Sequence, residues 1–397
     1  MRGDGSGGDK FAVTQPLDLS PPEPSPYTMK RFFKDYIQEI VPYEPGKPIE
    51  DVERELGLLR VTKLASNENP LGPSRKALRA MRAALRRVHL YPDGAAYELK
   101  QRLAEEFSLP ADQFVIGNGS NEIIELLARG FLSEGDRVIS SEGTFLVYPL
   151  ITKTCGASYV SVPMKDFRYD LKGILDQVDE RTRIIFIANP NNPTGTYVKT
   201  QEVEDFLSKV PKDVIVCFDE AYIDFVEAKD FPYLLFHIKA NKPNVILLRT
   251  FSKSFGLAGL RIGYGMASQE MIQYLNKVRQ PFNVNRIAQI GAAAALDDRL
   301  FLWRSRRLVS RGRLYLYRKF TQMGLNFVSS EANFVLADVR RDARKLAEAL
   351  MERGVIVRAM NAYGFPTHIR VTIGTRFELM RFIRVLKAVL KKGEAHS

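Results

Sequence analysis

Three short apolar runs each end in residues that could do chemistry. Residues 184–188 lead into Asn189-Pro190-Asn191-Asn192-Pro193-Thr194-Gly195, residues 214–218 into Asp219-Glu220-Ala221-Tyr222, and residues 245–248 into Arg249-Thr250-Phe251-Ser252-Lys253-Ser254. An amide, a carboxylate with a phenol, and an amine therefore follow the runs. Asp219 comes after five apolar residues of a strand expected to be buried, where an unpaired carboxylate is costly, so a cationic partner is expected beside it. Upstream, Gly117-Asn118-Gly119-Ser120-Asn121 opens a stretch with Ile123, Ile124, Leu126, Leu127 and Phe131 at helical spacing. Free backbone N–H groups at a glycine-led helix start suit an anion, although a Gly-x-Gly alone is more often only a tight turn. Arg261 is a candidate second ligand for a phosphate, since a guanidinium grips it with two parallel donors.

This set meets the requirements of pyridoxal phosphate. A lysine must form a Schiff base with its aldehyde and then shuttle a proton, a carboxylate must face the pyridine nitrogen, and a phenol and an amide must serve the ring oxygen. Lys253, Asp219, Tyr222 and Asn192 are the candidates. The prolines and Gly195 around Asn192 need no such role, because these residue types make turns for local reasons.

Placing these residues together takes a sheet. Short, fully apolar strands separated by helix-length segments indicate a mostly parallel sheet covered on both faces, with ligands bound beyond the strands' carboxyl ends. After a long helical region at residues 287–320 the pattern changes to a helix and short strands at 334–336 and 369–371, the mark of a second, smaller α/β or α+β domain. We expect a disordered extension over residues 1–27, where glycine and proline dominate, an arm at 28–65 joining the small domain, a large domain at 66–294 and a small one at 295–397.

Composition narrows the function classes. The chain has 397 residues, 45% of them apolar, enough for two packed domains. A formal charge of +12 is spread along helices with local clusters such as residues 304–313, which reads as solvated helix faces and not as a nucleic-acid arm. There is no secretory signal and no stretch of eighteen apolar residues, so no membrane role is expected and a soluble, cytoplasmic protein is. Cys155 and Cys217 are the only cysteines; Cys217 lies in an apolar run and reads as a small buried residue. His89 and His368 lack metal-ligand spacing, and no metal site is expected.

The chain resembles the fold-type I aminotransferases, and within them the histidinol-phosphate aminotransferase family. The resemblance runs from Pro42-Tyr43-Glu44-Pro45-Gly46-Lys47-Pro48 through Ser66-Asn67-Glu68-Asn69-Pro70 and Tyr91-Pro92-Asp93-Gly94, over the motifs above, to Ala332-Asn333-Phe334 and Ile369-Arg370-Val371-Thr372-Ile373-Gly374. It implies that Lys253 is the Schiff-base lysine, that Asp219 meets the ring nitrogen, and that Asn192 and Tyr222 meet the ring oxygen. It further implies phosphate ligands at the backbone of Ser120 and Asn121, at the side chains of Ser252 and Arg261, and at Tyr91 from a second subunit. A homodimer with shared active sites follows. Phe145 falls where an aromatic ring stacks on the cofactor; many relatives have tyrosine there. Arg370, with Arg358 and Tyr43, would bind the anionic end of each substrate, Arg358 and Tyr43 being promoted by the resemblance alone. The implied reaction moves an amino group between L-histidinol phosphate and 2-oxoglutarate, with glutamate as the biosynthetic donor. An aromatic amino-acid aminotransferase, an amino-acid-phosphate decarboxylase of the same fold and a cofactor-binding regulator that holds DNA are the rivals. The regulator lacks any added DNA-binding domain in the sequence.

Overall fold

A computed structural model describes residues 32–42 and 47–394. Contacts divide the chain into two units. In the first, which ends at Glu39, the described residues form a single helical turn, Asp35–Gln38. Everything considered below lies in the second, from Ile40 onward.

Twelve strands form two sheets among the described residues: β1 (Thr62–Leu64), β2 (Phe114–Gly117), β3 (Arg137–Ser141), β4 (Ser158–Val162), β5 (Thr182–Ala188), β6 (Ile215–Asp219), β7 (Val245–Thr250), β8 (Gly263–Ala267), β9 (Asn326–Val328), β10 (Phe334–Asp338), β11 (Val355–Met360) and β12 (Phe365–Thr372). The large sheet has the order β2-β8-β7-β6-β5-β3-β4, parallel from β7 to β4, with β8 antiparallel to both its neighbours. Its middle strands are apolar on both faces because helices cover both: Ile184, Ile185, Ile187, Val216, Phe218 and Leu247 are fully buried. The small sheet has the order β1-β11-β12-β10-β9 and is antiparallel except where β1 meets β11.

The three apolar runs are thus β5, β6 and β7, side by side, so their following residues share one edge. Cys217 is fully buried in β6, as its run implies. The long helical region is two helices, Arg286–Leu296 and Arg299–Gln322, broken at the pair Asp297-Asp298; Asp298 caps the second by accepting from the Phe301 N–H at 3.2 Å. The solvated-face reading of its arginines fails at Arg313. That side chain is buried and donates to the carbonyls of Ser330 at 2.6 Å and Phe225 at 3.2 Å and to Glu227 at 2.7 Å, so its charge binds loops together. No helix of the described residues is long and apolar enough to cross a membrane.

Candidate active site

The edge shared by β5, β6 and β7 opens on a cavity of about 300 Å³, within the range of small-molecule sites. Ser120, Asn121, Phe145, Asn192, Asp219, Tyr222, Ser252, Lys253, Arg261, Arg358 and Arg370 all line it. Each of these is a residue expected from the sequence, Arg358 through the resemblance alone. Tyr91 lies elsewhere: it is 79% exposed and stacks on Phe282 at 4.9 Å, on the outside of the chain that carries it. Tyr43 lies outside the described residues.

Asp219 ends β6 at the cavity floor, and burial raises its carboxyl to about 6. The partner expected for it is a cation, but the nearest donors are neutral: the Tyr148 hydroxyl reaches Oδ2 at 3.0 Å and the Ala221 N–H reaches Oδ1 at 3.2 Å. Lys253 contributes only a longer-range attraction. Lys253 follows β7, its Nζ donating to the Ser66 carbonyl at 3.3 Å. Burial first, and then the Arg370 charge, lower its amine to about 8. At pH 8 about half of such amines are neutral, against roughly one in three hundred at the ordinary value. A neutral amine is what attacks an aldehyde.

Tyr222 is buried with its hydroxyl accepting from Asn67 Nδ2 at 3.0 Å, and burial lifts its pKa to about 12. It is therefore a hydrogen-bond donor at neutral pH. Asn192 Oδ1 accepts from Arg370 Nη1 at 2.5 Å, which turns the amide N–H groups away from the guanidinium. Gly195 beside it has φ 76° and packs where a Cβ would lie 2.1 Å from Ser330 Oγ, so its turn role stands.

The candidate anion cradle is built from backbone. Ser120 and Asn121 begin the helix Ser120–Phe131, whose apolar face, Ile123, Ile124 and Leu127, is fully buried and fixes the helix start. Gly119, at φ 79°, leaves room for Arg261: a Cβ there would lie 2.6 Å from Arg261 Nη2. At the end of β7, Thr250 Oγ1 accepts the Ser252 N–H at 3.1 Å and donates to Ser252 Oγ at 3.0 Å, orienting that hydroxyl.

Arg358 and Arg370 come from the small sheet, directly opposite each other on antiparallel β11 and β12. Like charges so placed repel, and an anion between them relieves the repulsion. Arg370 is buried, donates to the Ala65 carbonyl at 2.6 Å, and has its Nε without a protein partner. Such an orphan suits an incoming anion.

Asn67, Glu68, Tyr148 and Tyr363 belong to the site or its support and were given no role from sequence. Asn67 and Glu68 sit in Ser66-Asn67-Glu68-Asn69-Pro70, and Tyr148 three residues after Phe145. Their motifs were visible, while their contacts depend on strand order. Neither His89, which is exposed, nor His368, held between Phe167 and Phe365 at 5.6 and 5.7 Å, reaches the cavity.

Residues 60–386 match the aminotransferase class I and II family. The histidinol-phosphate aminotransferase of Moorella thermoacetica is 47% identical over 357 residues, covering 90% of this chain and 92% of that one. Histidinol-phosphate aminotransferase 1 of Nitrosococcus oceani is 46% identical over 356 residues, with 90% and 96% covered. Among solved structures, histidinol-phosphate aminotransferase from Sinorhizobium meliloti in complex with pyridoxal-5'-phosphate superposes with a TM-score of 0.83 at 29% identity, over 91% of this chain and 98% of that one. An aspartate aminotransferase of Thermus thermophilus, at 24% identity and a TM-score of 0.76, shares the fold. The chain belongs to the class I and II aminotransferases and is a pyridoxal-phosphate-dependent enzyme of fold type I.

Proposed function

We propose that this enzyme exchanges an amino group between L-histidinol phosphate and 2-oxoglutarate, and that glutamate is the donor in the biosynthetic direction. The observation that carries the reading is the cross-strand pair Arg358 and Arg370, with the partnerless Nε of Arg370, across the cavity that also holds Lys253. One anion site there accepts a phosphate in one half-reaction and a carboxylate in the other. The names and coverage of the relatives support the same substrate.

Within this reading the chain's residues divide the labour. Pyridoxal phosphate, when bound, supplies an aldehyde for amine exchange and an electron-withdrawing ring. Lys253 binds it through Nζ and afterwards carries the proton between the two carbons, Asp219 faces the ring nitrogen, and Asn192 and Tyr222 donate to the ring oxygen. Ser120, Asn121, Ser252 and Arg261 hold the phosphate, Phe145 covers the ring, and Tyr43 joins the two arginines on the substrate. The unit is a homodimer, in which Tyr91 completes the partner's phosphate site. Exposed Leu85, Val88, Leu90, Tyr91, Tyr97 and Phe282 support such a contact. The reading also keeps a large domain at residues 66–294, a small one from residue 295, and a cytoplasmic location.

The test is turnover of L-histidinol phosphate with 2-oxoglutarate beside L-phenylalanine with 2-oxoglutarate, using the purified protein. A kcat/KM at least ~10²-fold higher for histidinol phosphate is expected, because L-phenylalanine brings a carboxylate to the arginines but an apolar ring where histidinol phosphate brings an imidazole with hydrogen-bonding nitrogens. Equal or reversed preference would remove the substrate assignment.

A further inference from the structure

The floor of the cavity has a second layer. Tyr148, in the helix Val147–Thr154, lines no part of the cavity, is fully buried, and donates its hydroxyl proton to Asp219 Oδ2 at 3.0 Å. Its ring lies flat on Phe186 of β5, with centroids 4.6 Å apart and planes 4° from parallel, so packing leaves it one orientation. Phe145 meets the same ring edge-on at 5.6 Å. With the Ala221 N–H on Oδ1 at 3.2 Å, both carboxylate oxygens of Asp219 are held and the group cannot rotate without losing a bond.

We propose that Tyr148 is a positioning residue for the amino transfer: it fixes the rotation of Asp219 and keeps that carboxylate an acceptor toward the cofactor's ring nitrogen. The proposal rests on the reading of Asp219 as the ring-nitrogen partner. Burial works against that role, since it favours the uncharged acid, whereas a hydrogen bond to the ionised form favours the anion. The titratable groups around Asp219 are Tyr148, Tyr169, Cys217, Glu220, Tyr222 and Lys253. Burial pushes Tyr148, Tyr169, Cys217, Glu220 and Tyr222 up, which keeps the phenols and the thiol protonated, and Glu220 is neutralised by Arg249 at 2.8 Å. Among them Tyr148 alone makes a side-chain hydrogen bond to Asp219.

Tyr148→Phe removes the hydroxyl and keeps both ring contacts. It is expected to lower kcat about tenfold to a hundredfold, the worth of one hydrogen bond to a charged group, with KM for both substrates within about twofold. Two further readouts do not depend on turnover. Cofactor-free Tyr148→Phe should bind pyridoxal phosphate more weakly at neutral pH. Asp219, seen as the pH-dependent difference in Tm between the cofactor-free protein and its Asp219→Asn form, should titrate at higher pH in the Phe variant. The decisive comparison is a double-mutant cycle: in an Asp219→Asn background, Tyr148→Phe should change neither kcat nor cofactor affinity further. An equal loss in both backgrounds, or an unchanged kcat and titration in the single variant, overturns the proposal. A wild-type protein that binds no pyridoxal phosphate would instead overturn the reading of Asp219.

Discussion

The two sides of the cavity are finished to different degrees. On the floor, Asp219, Tyr148, Tyr222 and Asn67 satisfy one another within the chain, at 3.0 Å from Tyr148 to Asp219 and 3.0 Å from Asn67 to Tyr222. On the wall, Arg358 and Arg370 stand opposite each other on β11 and β12, and Arg370 Nε has no protein partner. The difference fits what each side receives. On the proposed reading a cofactor is constant, so its partners are pre-set by packing, whereas the wall takes two different anions in turn and is completed by each.

Breaking the floor should cost more than breaking the wall. Lys253→Ala is expected to reduce amino transfer by at least ~10⁴-fold, because both the Schiff base and the proton carrier are lost; single-turnover kinetics with added cofactor would measure it. Arg370→Gln should lower kcat/KM about 10²- to 10³-fold, mostly through KM, as expected for an unpaired substrate anion, while cofactor affinity stays near wild type. A matching loss of cofactor affinity in equilibrium titration would dissolve the distinction between floor and wall. Gly119→Ala sharpens it from the other direction. The new Cβ displaces Arg261, so cofactor affinity should fall about tenfold while the preference between substrates is unchanged.

The pH effects follow from burial and are smaller. Lys253 is lowered to about 8, so capture of pyridoxal phosphate by cofactor-free protein should quicken as pH rises to 8 and level off above it, falling about tenfold per unit below. A stopped-flow pH series that is flat between 6 and 9 would contradict this. Asp219 has the opposite sign. Its folded pKa, about 6, exceeds the unfolded value, so its contribution to stability is full below the unfolded pKa and is lost as pH rises through about 6. The Tm of cofactor-free protein relative to Asp219→Asn should therefore decline over that window, and added pyridoxal phosphate should reduce the decline by placing a protonated ring nitrogen beside the anion.

The same comparison explains what could be read from sequence. Asn192, Asp219 and Lys253 were legible because each follows an apolar run, and β5, β6 and β7 prove to be neighbours. Strand ends in a parallel sheet converge, so local pattern carried positional information. Arg358 and Arg370 were promoted by resemblance and not by spacing. Their meeting depends on an antiparallel register in the small sheet, and no local pattern encodes which strand pairs with which. Tyr148 was invisible for a related reason: its apolar surroundings look like ordinary core, and only the stack on Phe186 aims its hydroxyl at Asp219. Strand β8, glycine-rich and antiparallel within the large sheet, escaped as well, since Gly263-Tyr264-Gly265-Met266-Ala267 reads as a poor strand; Gly263 is there because a Cβ would lie 2.6 Å from the Ser120 nitrogen in the cradle.

Every role proposed for the site depends on the amine beyond β7 holding the cofactor. Borohydride reduction of the protein loaded with pyridoxal phosphate, followed by proteolysis and peptide mass spectrometry, tests it most directly. One reduced phosphopyridoxyl group per chain is expected, on Lys253, and none when the protein is first incubated with L-histidinol phosphate alone. A label on another lysine, or no label on a protein that transaminates, would contradict it.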